Sequence, residues 1–323
     1  MPVDTLEFEE PVAALLKEIE QLNSQPSTPD RAAEIARLQT RARQVRQDLF
    51  TRLTPWQRVL VARHPQRPYL LDYVPRLWPG FTEIHGDRRF GDDQAIVTGF
   101  ARYHDTPVLL VGHQKGRDTK QKIARNFGYA RPEGYRKALR AMQLAAKFRR
   151  PVICLVDTPA AYPGMESEER GIAEAIALNL REMAVLDTPI VVVVTGEGGS
   201  GGALGIAVGD VVLMQEYAVY SVIPPEGCAA ILWRDPARKV EAAEALKMTA
   251  SDLVSRDIVD GIIPEPHGGA HQDPDLAARQ LDEALWPALQ ATMAMPSDER
   301  LARRYDKFRR IGRVGAEISG SPS

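Results

Sequence analysis

Gly196-Glu197-Gly198-Gly199-Ser200-Gly201-Gly202-Ala203-Leu204 follows an apolar run, Pro189 to Thr195 (P-I-V-V-V-V-T), with the character of a buried strand. A helix-permissive segment with alanine comes next. The predicted order is strand, glycine loop, helix N-terminus. Such a turn presents bare backbone N–H groups beside the positive end of a helix dipole. Those groups suit a bound phosphate, or an oxyanion that develops during a reaction.

Upstream and downstream the same grammar repeats. Ala95 to Ala101, Val108 to Gly112, Pro151 to Val156, Val211 to Met214 and Ala218 to Ile223 are predicted strands, with Ile258 to Ile263 as a further candidate. Gly134 to Phe148, Glu168 to Leu186, Gly227 to Trp233 and Ala237 to Leu246 are predicted helices. Strands alternating with helices imply an α/β fold with a largely parallel sheet and right-handed crossovers. Ahead of this lies a helical hairpin. Val12, Leu15, Leu16, Ile19 and Leu22 share one face, Pro11 suits a first turn, and Asn23 to Pro29 is a turn. Asp30 is the expected cap of a second helix, in which Ile35, Leu38, Ala42, Val45 and Leu49 fall at a/d spacing. From Arg300 to Arg313 seven basic residues face one acid, Asp306; a solvated helix face or chain end is expected. Ser319 to Ser323 is expected to be disordered.

Composition narrows the function classes. The 323 residues are 44% hydrophobic and 26% charged, as in an ordinary soluble protein. Subtracting 43 acidic from 41 basic residues leaves −2, which favours neither a nucleic-acid binder nor a membrane-surface protein. No apolar run has the length of a membrane span. Met1 to Glu7 lacks the charged start and apolar core of a signal peptide, so cytoplasmic residence is expected. Cys154 and Cys228 fit a reducing compartment and cannot build a cysteine-rich zinc site, so no metal is expected in this chain.

Three segments compete to explain the chemistry. Gly196-x-Gly198-x-x-Gly201 matches the letters of a dinucleotide fingerprint, with Glu216 about where the ribose-binding acid belongs. Against it, the crossover from Gly201 to Val211 is barely long enough for a helix and carries Gly205 and Gly209. No Lys-Ser/Thr follows the glycines, which excludes a Walker A loop. Gly198-x-Ser200-x-Gly202 satisfies a nucleophile-elbow pattern, but no histidine is tied to Ser200 by sequence, and a small residue in a tight turn is the preferred reading. The second segment, Asp157-Thr158-Pro159-Ala160-Ala161-Tyr162-Pro163-Gly164, also follows a predicted strand. Sites in parallel sheets form at carboxyl ends of strands, so the two loops are expected to line one pocket. Asp157 alone reads equally as a cap or turn residue. The third segment, His113 to Gly128, sets five basic residues against Asp118; phosphate or carboxylate contact and a solvated basic loop stand at even odds.

Taken together, in order, these segments resemble the α subunit of bacterial acetyl-CoA carboxylase carboxyltransferase. The resemblance rests on His64-Pro65-Gln66-Arg67-Pro68-Tyr69, Gly112-His113-Gln114-Lys115-Gly116-Arg117, Asn126-Phe127-Gly128 and Pro132-Glu133-Gly134-Tyr135-Arg136-Lys137-Ala138. It continues through Asp157-Thr158-Pro159, Tyr162-Pro163-Gly164, Glu168-Glu169-Arg170-Gly171 and the glycine segment. Tyr220-Ser221-Val222-Ile223, Pro225-Glu226-Gly227-Cys228, Ile231-Leu232-Trp233, Ile263-Pro264-Glu265-Pro266 and Gly268-Gly269-Ala270-His271 complete it, and it spans about Leu6 to Ala294.

The resemblance implies a crotonase-like superhelix of ββα units. It divides the chain into an N-terminal helical hairpin (1–55), a carboxyltransferase domain (56–294) and a basic C-terminal tail (295–323). It implies transfer of a carboxyl group from carboxybiotin, on the biotin carboxyl carrier protein, to acetyl-CoA, giving malonyl-CoA for fatty acid biosynthesis. The implied partners are a zinc-ribbon β subunit in an α2β2 assembly and biotin carboxylase in the full complex. Charge develops on the acetyl-CoA enolate oxygen and on the biotin ureido oxygen, so two oxyanion holes are needed, one from each subunit. Carried onto this chain, the α-subunit donors are Gly201 and Gly202, each worth about 3 kcal/mol in the barrier. No side-chain base is required if the biotin nitrogen takes the acetyl proton. Gly198, Gly199, Ala160, Ala161, Tyr162 and Gly164 are expected pocket lining. Lys115, Arg117, Gly134 and Tyr135 are weaker expected contacts to carboxylate or biotin. One departure stands out: Ala160 occupies a position where the family usually has glycine, and alanine resists a positive φ.

Overall fold

The structure, a computed structural model, describes residues 5–312. The hairpin is built from α1 (Glu10–Asn23) and α2 (Pro29–Phe50). Val12 and Ile19 are buried on α1, and Leu38, Ala42 and Phe50 on α2, as the apolar stripe requires. Thr28, not Asp30, caps α2: its Oγ1 accepts from Arg31 N at 3.3 Å. Pro29 takes the first helical position and so moves the cap one residue upstream of it. At the hairpin's end Phe50 meets the edge of Tyr217 with ring centroids 5.4 Å apart, tying the hairpin to the main body.

Two short helices follow, α3 (Pro55–Ala62) and α4 (Leu70–Leu77), then β1 (Thr82–Glu83), β2 (Ile96–Tyr103) and β3 (Thr106–His113). β2 and β3 pair antiparallel, so the largely parallel sheet is mixed at this edge. The cause is local. Tyr103 pairs with Thr106 across His104-Asp105, whose φ values of 43° and 62° are those of a two-residue hairpin turn. Next come α5 (Thr119–Ala124), α6 (Pro132–Lys147), β4 (Val152–Thr158), α7 (Met165–Glu169), α8 (Ile172–Val185), β5 (Ile190–Gly199) and α9 (Ser200–Leu204). The remainder is β6 (Val211–Gln215), β7 (Val219–Ser221), α10 (Pro225–Trp233), α11 (Lys239–Leu246), α12 (Ala250–Val254), β8 (Gly261–Ile263), α13 (Pro274–Ala294) and α14 (Ser297–Arg310).

The sheet order is β1-β2-β3-β4-β5-β6-β8, and from β3 onward the pairings are parallel. Strand alternation sorts its side chains onto two faces. Val152, Cys154 and Val156 pack with Ala138, Met142 and Ala175 from α6 and α8. Ile153, Leu155, Val191 and Val193 pack with Leu281, Leu285 and Leu289 from α13. The result is a helix–sheet–helix sandwich whose strands are buried on both faces, which explains their near-continuous apolar runs.

The basic C-terminal run is solvated only in part: Arg303, Arg309 and Arg310 are exposed, whereas Arg300 and Arg304 are buried. It forms α14, and Arg304 at its centre is 1% exposed. Its guanidinium forms an ion pair with Asp210 at 2.7 Å and donates to the carbonyls of Met183, Leu186 and Thr188. Those carbonyls end α8 and enter β5, where cationic donors are favoured. The expected disordered segment, Ser319 to Ser323, lies outside the described residues, and Arg313 does too. Among the described residues no helix is long and apolar enough to cross a membrane, and no group of three or more metal-ligating side chains is gathered.

Candidate functional site

The glycine segment is strand before it is loop. β5 continues through Glu197, Gly198 and Gly199, which pair with Val219, Tyr220 and Ser221 of β7. Its first half pairs instead with β6, from Val191 opposite Val211 to Val194 opposite Met214. Glycine is needed here for close approach. A Cβ on Gly198 would meet the Tyr220 ring at 2.5 Å, and one on Gly199 would lie 1.8 Å from the carbonyl oxygen of Pro159.

On the other side, β5 and β4 change register. Val156 faces Val194 and Thr158 faces Gly198, so Asp157 alone stands opposite Thr195, Gly196 and Glu197. The bulge is bridged by side chains. Asp157 Oδ1 accepts from Glu197 N at 2.9 Å. Arg67 Nε donates to the Thr195 carbonyl at 2.6 Å, while its other nitrogens hold Glu265 and Gln215. Lys115 Nζ lies 2.7 Å from Asp157 Oδ1 and 2.9 Å from Glu197 Oε2. Glu197 Oε1 takes Arg63 Nε at 2.6 Å, and Arg63 continues to Glu226 at 2.6 Å. Burial opposes the charge on Lys115, but the two carboxylates outweigh it and lift the ammonium above its ordinary pKa. Burial works against Glu197 as well, yet Lys115 and Arg63 hold its pKa below the usual value. His113, on the same strand end, is fully buried beside Lys115; burial first and that charge second bring it down to about 3, so it is neutral.

Past Gly199 the chain turns sharply. Ser200 has φ +50°, a left-handed value uncommon for serine, and it opens the five-residue α9. No side chain caps this helix, so its first backbone N–H groups are left without intrahelical partners. Its position is fixed from behind. Tyr135 Oη donates to the Gly202 carbonyl at 3.1 Å, and Asn179 Nδ2 donates to Gly205 O at 2.8 Å and to Tyr135 O at 3.0 Å. Gly202 lies against the Ala160–Ala161 peptide, where a Cβ would approach within 2.4 Å. Gly201 differs: a Cβ there meets only Ile176, at 3.7 Å. Ser200 and Gly201 form one wall of a cavity of about 520 Å³, lined also by Leu204, Tyr220, Leu246 and, from α14, Phe308.

The expected site residues separate into five groups. Gly201 lines the cavity and Gly202 stands beside it, buried. Gly198 and Gly199 border a narrower cleft of about 20 Å³ with Pro159, Arg63 and Ile223. Ala160 and Ala161 brace α9 without lining either space, and Ala160 is absent from the left-handed residues, so no glycine is required there. Tyr162 and Gly164 lie further along the loop; Tyr162 stacks under the Arg131 guanidinium at 4.7 Å, and Gly164 precedes α7. The remaining four are engaged inside the protein. Lys115 is held by its two carboxylates, and Arg117 pairs with Asp72 and stacks on Tyr69 at 4.1 Å. Gly134 packs on Asp93, and Tyr135 is wholly buried. Charge alone could not separate a ligand-binding lysine from one facing Asp157 and Glu197, since those partners lie 42 and 82 residues away in sequence. Arg63, Arg67 and Glu197 likewise take their roles from partners far away in sequence, which no local pattern marks.

The dinucleotide alternative fails on this geometry. Its fingerprint needs a tight turn at the first glycine and a helix against the pyrophosphate. Here Gly196 and Gly198 lie within a paired strand, and the helix is one turn and a half. Among the described residues Ser200, at the start of α9, has no histidine hydrogen-bonded to it, so the elbow lacks a base there.

Residues 5–312 match the family of acetyl co-enzyme A carboxylase carboxyltransferase-like proteins. The chain is 54% identical over 309 residues to the acetyl-coenzyme A carboxylase carboxyl transferase subunit alpha of Geobacter metallireducens, covering 95% of this chain and 97% of that one. It is 52% identical to the protein of the same name from Thioalkalivibrio sulfidiphilus, covering 97% and 98%. Among solved structures it resembles transcarboxylase 12S with methylmalonyl-coenzyme A bound, at TM-score 0.53 and 22% identity over 68% of this chain and 42% of that one. At that identity the likeness speaks for the crotonase-like fold alone.

Proposed function

The chain belongs to the acetyl-coenzyme A carboxylase carboxyltransferase family, as an alpha subunit, and from that premise we propose how its site works. The reaction carries a carboxyl group to acetyl-CoA and yields malonyl-CoA, and a β subunit shares the work. In our reading the two subunits form an α2β2 assembly. The biotin carboxyl carrier protein, charged by biotin carboxylase, delivers carboxybiotin, which supplies the activated carboxyl group.

This chain's contribution is an oxyanion hole made of backbone. The N–H groups of Gly201 and Gly202 donate to the oxygen on which negative charge gathers as the carboxyl group departs. The observation that carries this reading is the uncapped start of α9 at the wall of the 520 Å³ cavity. The cavity fits a neutral bicyclic urea. Its lining is largely apolar, with Ser200, Tyr220, Ser221, Lys247 and Arg256 as its polar members, and a Cβ at Gly201 would meet only Ile176, at 3.7 Å. Fixed amides cost no reorganisation when the charge appears, and each is worth about 3 kcal/mol of the barrier. Behind them, Tyr135, Asn179 and the Ala160–Ala161 peptide keep the helix from shifting. The enolate of acetyl-CoA is stabilised by the matching amides of the β subunit.

The test is carboxyl transfer from malonyl-CoA to free biocytin, measured for this chain alone and after mixing with its β subunit. Activity confined to the mixture supports a split site. Absence of activity in a confirmed complex overturns the reading.

A further inference from the structure

We propose that Lys115 is a positioning residue: it cross-links the ends of β4 and β5 through Asp157 and Glu197, and thereby sets where the amides of Gly201 and Gly202 stand. The proposal rests on the oxyanion role given above and adds to it the device that aims those amides.

The need for such a device follows from the bulge. Where one residue faces three, the backbone ladder is interrupted and the longer strand is free to bend. Between Val194 and Gly198 no backbone pairing joins β5 to β4, and Thr195 Oγ1 reaches the Val156 carbonyl only at 3.4 Å. At the far end of the gap the tie to β4 is the Asp157 carboxylate on Glu197 N. That carboxylate is 2% exposed, and its Oδ2 has no hydrogen-bond partner among the described residues. An acceptor so placed keeps its aim only if its charge is matched. Lys115 is the match, and by touching Glu197 as well it makes a bracket across the gap. Arg63 clamps the far side of Glu197 from the C-terminal cap of α3, and Arg67 holds Thr195 O at the bulge's other end. Gly199 and Ser200 follow directly, so a shift of the bracket moves α9 bodily. Lys115 is itself located by its neighbours: Gly128, at φ +87°, leaves room for its stem, since a Cβ there would come within 2.7 Å of Lys115 Cγ.

Lys115 therefore contacts no substrate, and its kinetic signature differs from that of a binding residue. In the α–β complex, Lys115→Met should lower kcat for carboxyl transfer about a hundredfold, the scale of a misplaced catalytic group. KM for biocytin and for the CoA ester should stay within about twofold. Lys115→Arg should recover part of kcat. Asp157→Asn should act in the same direction, and the double variant should be no slower than the slower single one, since both act through one bracket. Hydrogen exchange at the Glu197–Gly199 amides should quicken in Lys115→Met, a readout that needs no activity. If wild-type complex is inactive, the oxyanion reading falls while exchange still decides the bracket. If Lys115→Met fails to fold, Lys115→Arg and Asp157→Asn carry the kinetic test. Raised KM with kcat preserved makes Lys115 a substrate contact and overturns the proposal, as does unaltered exchange.

Discussion

After β4 the chain runs through Pro159-Ala160-Ala161, and after β5 through Ser200-Gly201-Gly202; the two segments lie in contact. The first accepts alanine where glycine is usual, because its backbone stays out of the left-handed region. The second does not. Gly199 and Gly202 face backbone atoms at distances where no Cβ fits, whereas Gly201, between them, faces space. Three glycines in four residues thus serve two ends: two let the neighbouring segments touch, and one keeps a cavity wall bare.

Substitution can break that comparison. Gly199→Ala should have the largest effect. Its Cβ collides with the Pro159 carbonyl, and backbone cannot rotate away, so unfolding stability should drop by about 3 kcal/mol or more. Chemical denaturation measures it, and a soluble variant of unchanged midpoint would remove the packing role. Gly201→Val should separate function from fold. With only Ile176 nearby, the melting temperature should barely move, while carboxyl transfer falls by about 10²–10³ through blocked access to the amides. Turnover near the wild-type rate would take Gly201 out of the site. Tyr135→Phe removes one hydrogen bond to Gly202 O and should cost about 1 kcal/mol of stability. A larger loss of kcat than of stability would show that the bond also aims α9. The smallest effect belongs to Ala160→Gly. With no left-handed φ to relieve, added freedom in the unfolded chain should destabilise by about 0.5 kcal/mol, and turnover should stay the same. A gain in stability would mean that the alanine is strained.

The alternating strands, the hairpin stripe and the glycine segment were legible because each is written in neighbouring residues. What escaped depends on partners far away. The letters Gly-Glu-Gly-Gly signal a loop, and only β7, arriving after another strand, makes them a strand. Arg304 sits in a run that reads as a wet helix face, yet Asp210 and three carbonyls lie 94 to 121 residues upstream of it. Lys115 showed its charge but not its use. The long α13 was not picked out, although Leu281, Leu285 and Leu289 repeat at four-residue spacing and fill one face of the sheet. The β2–β3 hairpin was missed because His104-Asp105 is not among the common turn pairs.

The division of β5 between two partners also orders events during synthesis. β4 and β6 flank its first half, whereas β7, which flanks its second, is made only afterwards. A ribosome therefore releases a chain whose central strands can zip before the segment that will hold the amides has its neighbour. α14, which covers the cavity with Phe308, emerges later still. Long-range pairings of this kind form slowly, and domains acquire structure as units while they are being made. A nascent chain stalled before β7 would leave the second half of β5 without that neighbour, and one face of its sheet would still lack the leucines of α13.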